Sequence, residues 1–240
     1  RTLRFIMKPV IAHLFPLTIY KSKILISESE KELLINEVYE MEKKSINPEY
    51  KSNNKAWTGD TQGHEYLHNN PKFSNLFKEI EIHVKKYLEY LSLDANSLDL
   101  YFQRSWATIS RNFENINFHN HAQSHISFAY YLKKNKNDAK ILFRNESRQN
   151  EILGNLFSSQ TLYEKKIIKK IDLVNANQMN LDIEEDDIVI FPSKTMHGTE
   201  SEVNNDVRIS FSADISIISK DSTNLEHLIT PVENWKKFSN

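Results

Sequence analysis

The 240-residue chain contains no cysteine, which excludes a disulfide scaffold, a zinc finger and a cysteine nucleophile. It also lacks a long apolar run. The most apolar stretch, Phe5 to Tyr20, is broken by Lys8, Pro9, His13 and Pro16, and falls short of the roughly 20 clean apolar residues a bilayer requires. Lys8 and His13 sit where a signal-peptide h-region should be and no small-x-small cleavage site follows, so a cytoplasmic protein with no membrane partner is expected. Net charge is almost absent as well. The 31 basic and 32 acidic side chains leave −1, without the electrostatic footprint of a dedicated nucleic-acid binder, so no nucleic-acid partner is expected. Arginine is scarce, 7 residues against 24 lysines, and each arginine placed in a strand therefore stands out as a functional candidate. What is present is ordinary for a folded protein: 39% hydrophobic and 26% charged residues exclude disorder of the chain as a whole.

Two helices are expected early. Ser27 followed by Glu30 forms a capping-box pattern ahead of Leu34, Ile35, Val38, Tyr39 and Met41 at helical spacing. Asn70 as N-cap and Pro71 at the first helical position announce a second, whose apolar stripe is Phe73, Leu76, Phe77, Ile80, Val84 and Leu88. From about residue 98 the period changes to that of strands. Leu98, Leu100 and Phe102 alternate with polar neighbours, and Ile126 to Leu132, Ala139 to Phe143, Asp187 to Phe191 and Val207 to Ala213 follow as short runs bounded by polar clusters. No βαβ alternation is visible, which disfavours a parallel doubly wound sheet. Asn145 to Asn180 is polar and lysine-bearing, an excursion and candidate lid between strands; its Glu164–Lys170 run reads as a solvated face rather than a phosphate site. Nothing splits the chain, so 1–240 is expected to be one domain, with helical support over about 26–92 and a β core over about 98–216.

The histidines are the informative set. His119 and His121 lie just ahead of the Ile126 strand, and in an extended chain positions i and i+2 project to the same face, so both imidazoles can converge on one ion. His197 follows the buried run Ile188 to Ser193, and Arg208 comes eleven residues later. Glu202 to Asp206 reads as a hairpin turn, which predicts that the strands bearing His197 and Arg208 pair antiparallel. Val207, Ile209, Phe211 and Ala213 share the apolar face of the second strand, leaving Arg208, Ser210 and Ser212 on the other. A guanidinium on an inner face is costly without an anionic partner, and a small-molecule carboxylate supplies one.

Taken in order, His119-Asn120-His121, Ile126 to Leu132, Asp187 to Ser193 with His197, and Arg208 to Ser212 resemble the 2-oxoglutarate and iron(II)-dependent oxygenases of bacteria and marine phages, a group similar in turn to the prolyl hydroxylases. The resemblance extends from about Leu14 through Trp57 and the Ser105-Trp106 pair to Asp214. It implies a double-stranded β-helix, a cupin-like jelly-roll, with the early helices on one outer face. It implies an enzyme that uses Fe(II), 2-oxoglutarate and O2, releases succinate and CO2, and oxidises, as a rule by hydroxylation, a small-molecule or peptide substrate. In it His119 and His197 bind iron, Arg208 pairs with the distal carboxylate of 2-oxoglutarate, and Tyr131 reaches the same carboxylate. Ser127 shares the strand face of Tyr131, and Ser210 is a second donor beside Arg208. One position departs from the superfamily pattern, where H-x-D or H-x-E completes a triad of two histidines and one carboxylate. Here that position is His121, the expected third ligand; the alternative is that it faces substrate while a halide or water takes its place.

Other patterns compete. His125 extends the motif to H-x-H-x3-H, which fits a three-histidine cupin dioxygenase that does not use 2-oxoglutarate, although such a site has no need of Arg208. A jelly-roll that binds a partner without turnover is a further alternative. His64-Glu65-Tyr66-Leu67-His68 spells the zinc-protease H-E-x-x-H, but Asn69-Asn70-Pro71 stops any helix at once, whereas that chemistry needs several turns.

Overall fold

The computed structural model describes residues 10–47, 55–136, 138–201, 206–221, 223 and 226–239. The first helix, α1 (Glu28–Lys43), begins where the capping pattern places it: the Ser27 hydroxyl accepts the Glu30 amide at 3.2 Å. Its buried side chains are Lys31, Leu34, Val38 and Met41. Asn70 likewise caps the next helical segment through the Lys72 amide, but the turn Pro71–Phe73 is a 3-10 helix and α2 proper spans Ser74–Tyr90.

Among the described residues nine strands follow or flank these helices: β1 (Tyr20–Lys23), β2 (Trp57–Thr58), β3 (Leu98–Ser110), β4 (Ile126–Lys133), β5 (Ile141–Arg144), β6 (Gln178–Leu181), β7 (Asp187–Pro192), β8 (His197–Thr199) and β9 (Arg208–Ser219). They form a six-stranded sheet ordered β1-β7-β4-β9-β3-β2 and a three-stranded sheet ordered β6-β5-β8, with antiparallel pairing throughout. The short helix α3 (Gln160–Glu164) lies in the excursion between β5 and β6.

Because strand side chains alternate, each strand of the large sheet serves two environments. Ile126, Phe128, Tyr130 and Leu132 of β4 and Ile188 and Ile190 of β7 join Leu34, Val38, Leu76, Ile80 and Leu88 of the helices in the main core. Ala129, Tyr131, Val189 and Phe191, from the opposite face, pack with Ile141 and Phe143 of the small sheet. In β9 the helix-side residues are Ile209, Phe211, Ala213 and Ile215. The expected apolar face is therefore the observed one.

β3 changes face partway. Leu98, Leu100 and Phe102 pack on the helix side, but the register with β9 slips between Phe102 and Arg104, and beyond the slip it is Ala107 and Ile109 that enter that core. This bulge turns Arg104, Trp106 and Thr108 to the inner face. The expected pairing of the His197 and Arg208 strands is not observed: β8 hydrogen-bonds to β5 in the small sheet, whereas β9 sits between β4 and β3 in the large one. The chain between them crosses from one sheet to the other, as a sandwich requires, and most of the expected turn, 202–205, lies outside the described residues.

An ion cluster ties α1 to the chain entering β7. Lys31 Nζ lies 2.8 Å from Glu185 Oε1 and 3.0 Å from Asp186 Oδ1. Burial pushes the Glu185 carboxyl up, but the hydrogen bonds from Lys31 and the Lys134 amide outweigh it, and the group ionises below its ordinary range. A carboxyl depressed in this way contributes stability above its unfolded value of about 4.3 and loses that contribution as the pH falls through the folded value. The melting temperature should thus fall more steeply from about pH 5 to about pH 3 in the wild type than in Glu185→Gln. Parallel melting curves for the two proteins would contradict it. Phe211, fully buried and edge-on to Phe73 with centroids 5.4 Å apart, is a separate anchor. Phe211→Ala should cost about 3–5 kcal/mol in urea unfolding.

Candidate active site

Between the two sheets lies a cavity of about 560 Å³. His119, His121 and His197 meet on its wall, one ligand nitrogen from each lying within 4.8 Å of the others. Local backbone pairing brings them there. His119 and His197 exchange amide-to-carbonyl hydrogen bonds at 2.9 Å in both directions, an isolated antiparallel bridge, and the His121 amide bonds to the Ser193 carbonyl at 3.0 Å. Gly198 permits this approach: a Cβ there would stand 2.9 Å from the Ile116 carbonyl oxygen and 3.1 Å from the Phe118 nitrogen.

Each imidazole is held by its Nδ1. In His119 that atom faces the Asn117 carbonyl at 2.8 Å, and in His197 the Thr195 carbonyl at 2.8 Å. Carbonyl oxygens only accept, so Nδ1 carries the hydrogen in both rings and Nε2 keeps its lone pair. In His121 Nδ1 faces the carboxylate of Asp214, and Nε2 is buried without a hydrogen-bond partner. The His121 ring is further fixed by Trp106, stacked at 5.7 Å and 13° between planes. Phe191 meets His197 edge-on at 4.6 Å. Burial pushes the His119 imidazole down and His197 further, to about 3, so both are neutral at neutral pH. Three lone pairs converging in a buried pocket, one of them an orphan, are a donor set that could hold a divalent metal.

Arg208, 2% exposed, lines the same cavity, as do Ser127, Tyr131 and Ser210. All seven residues singled out from the sequence thus face one space. Two of the Arg208 nitrogens donate to the Ala139 carbonyl at 2.8 Å and the Ser110 hydroxyl at 3.0 Å, which fixes the guanidinium plane. Burial pushes the Tyr131 phenol up to about 12 against the opposing charge of Arg208, so it remains a hydrogen donor. The Ser127 hydroxyl is shared with Ser193 at 2.8 Å.

Two residues went unread in the sequence, Asp214 and Arg104. The Asp214 side chain is fully buried, and its Oδ2 accepts from Arg104 Nε at 2.9 Å and from its terminal nitrogen at 2.6 Å. Burial would raise this carboxyl, but His121 and Arg104 hold it at about 2. The signal for Asp214 was parity: it continues the face of Arg208, Ser210 and Ser212. His125, by contrast, is exposed, its Nδ1 accepts the Ile217 amide at 2.8 Å, and it is not in the histidine cluster. His64 and His68 share no α-helix; His68 bonds to Ser105 at 2.8 Å and stacks on Phe102 at 5.6 Å.

The family described as "Putative 2OG-Fe(II) oxygenase" matches residues 104–214, a segment that opens at Arg104 and closes at Asp214. Over this segment the chain is similar to that family. The oxygenase fold extends over most of the chain. The α-ketoglutarate-dependent carbocyclase SnoK of nogalamycin biosynthesis superposes with a TM-score of 0.54 at 11% identity, covering 88% of this chain and 87% of its own. HygX of Streptomyces hygroscopicus, crystallised with nickel, 2-oxoglutarate and hygromycin B, superposes with a TM-score of 0.53 at 10% identity, covering 83% of each chain. At such identities the likeness establishes the jelly-roll fold. Comparison with curated proteins gives no significant match.

The close approach at Gly198 is testable by substitution. Gly198→Ala should push the His119–His121 segment off β8, shift the imidazole NMR signals of His119 and His197, and destabilise the fold by about 1–3 kcal/mol. Unchanged histidine signals would show that the segment yields without cost.

Proposed function

We propose that the protein is an Fe(II)- and 2-oxoglutarate-dependent dioxygenase that hydroxylates a polar small molecule and releases succinate and CO2. The observation that carries this reading is the presence, in one cavity, of three converging imidazoles and a buried guanidinium. His119, His121 and His197 would hold the metal, with Nε2 the free nitrogen of each ring, and their Nδ1 partners keep the rings from rotating away. Iron, when bound, supplies the O2 activation that is coupled to decarboxylation of the 2-oxo acid.

The remaining work belongs to the chain. Arg208 binds the distal carboxylate of 2-oxoglutarate, with its plane set by Ala139 and Ser110. Tyr131 and Ser210 add hydroxyl donors on the same wall. Phe191, Ile141 and Ala129 give the cavity part of an apolar lining that excludes water from the reacting atoms. Lys55, Thr58, Asp60, Thr61, Asn115 and Gln123, which also line the cavity, present mixed charge and hydrogen-bonding groups, which suit a substrate rich in hydroxyl or amine groups. That HygX was crystallised with hygromycin B on the same fold supports a small molecule over a peptide. The excursion 145–180 leaves β5 at Arg144, whose guanidinium lies 3.9 Å over the Phe118 ring, and is the segment proposed to close over bound substrate. The separation of His125 from the cluster and the inward placement of Arg208 favour this reading over a three-histidine cupin.

Anaerobic addition of Fe(II) and 2-oxoglutarate should produce the weak visible charge-transfer band of the chelate, and air should then yield succinate. Neither band nor succinate would leave a binding module. His197→Ala should abolish the band. Arg208→Ala removes a charge-assisted pair worth about 1.5–3 kcal/mol and should raise the apparent 2-oxoglutarate KM roughly 10- to 150-fold. An unchanged KM would place the 2-oxo acid elsewhere.

A further inference from the structure

The three-histidine set leaves an electrostatic question. Imidazoles coordinating through Nε2 bring no charge, whereas a triad with one carboxylate neutralises half the charge of a divalent ion in a poorly solvated pocket. The nearest buried carboxylate is Asp214, and it does not stand among the candidate ligands. It grips one of them from behind. Its Oδ1 takes the His121 Nδ1 hydrogen bond and lies 3.3 Å from the Ser124 hydroxyl, while its Oδ2 accepts from Arg104 and from Gln123 at 2.9 Å. Both oxygens are therefore fixed, and the remaining face of the His121 ring is covered by Trp106.

A neutral side chain of the same shape could accept the His121 hydrogen equally well, so orientation alone does not require an acid here. Keeping a carboxylate fully buried is costly and is offset by Arg104, which is itself carried to the inner face by the β3 bulge. The arrangement is explained if the negative charge has a use. Building on the iron-binding reading above, we propose that Asp214 is a positioning residue that holds His121 and supplies, through that imidazole, the negative charge the ligand set lacks. In this reading the negative charge stands behind the imidazole at position 121, on β9, rather than at that position itself. A carboxylate behind a coordinating imidazole raises its basicity and fixes its orientation, and losing such a partner typically weakens metal binding 10- to 100-fold.

Titration of the purified protein with Co(II), followed by its visible absorption, separates the possibilities without recourse to turnover. Asp214→Asn keeps shape and the hydrogen-bond acceptor, and should weaken Co(II) binding roughly 10- to 100-fold while circular dichroism remains that of the wild type. His121→Asp alone sets two carboxylates side by side and should also bind poorly. The double variant His121→Asp/Asp214→Asn returns a single carboxylate to the pocket and should bind Co(II) within a few-fold of the wild type. It also keeps the test open if Asp214→Asn alone fails to fold. Wild-type affinity in a folded Asp214→Asn protein, or a double variant no better than the single ones, would overturn the inference. Failure of the wild type to bind Co(II) at all would overturn the metal-binding reading itself, a distinct result.

Discussion

The site depends on the alternation of β9. This strand is hydrogen-bonded along both edges, to β3 and to β4, so its register is fixed from two sides. Its odd-numbered residues from Ile209 to Ile215 fill the core beneath the helices, and its even-numbered residues, Arg208, Ser210, Ser212 and Asp214, consequently share the inner face. A slip of one residue would drive an arginine and an aspartate into an apolar core, at a cost comparable to the whole stability of an ordinary domain. Hydrophobic burial on one side thus holds the charged groups in register on the other.

The same strand sets the polarity of the cavity. Arg208 stands at one end, with hydrogen bonds to a carbonyl and a hydroxyl, and Asp214 lies six residues along, behind the histidines and locked by Arg104. The potential in the cavity therefore favours an anionic group near the guanidinium and a cationic one near the histidines backed by the carboxylate. The small sheet completes the enclosure: β8 carries His197, and the His119 segment is stitched to it by backbone hydrogen bonds. Neither sheet alone presents the site.

How much of this was legible in the sequence follows from the range of each interaction. The helix starts at Ser27 and Asn70 are local hydrogen-bond patterns and were read correctly, although the 3-10 turn that precedes α2 was not resolved. The inner face of Arg208 follows from a period of two within one strand. The pairing of β8 was misread, because a turn-like stretch after His197 is compatible with a hairpin and with a crossing between sheets, and only the position of β5 decides between them. The bulge in β3 carried no glycine or proline to mark it, since Gln103 is flanked by Phe102 and Arg104, so the inward turn of Arg104 was invisible. β2 and β8, of two and three residues, are too short for any periodicity to declare them.

Histidine at position 121 and aspartate at position 214 are best understood as one unit. An imidazole in a closed pocket must satisfy Nδ1 before Nε2 is free to coordinate, and the His121 ring, stacked under Trp106, reaches no backbone carbonyl of the kind that serves His119 and His197. The acceptor has to come from another strand, and the inner face of β9 offers it at Asp214. That carboxylate in turn needs a cation, which the bulge of β3 delivers as Arg104. The β3 bulge, Arg104, Asp214 and His121 thus form one continuous run of backbone irregularity, ion pair and hydrogen bond, in which each member answers a polar demand of the next.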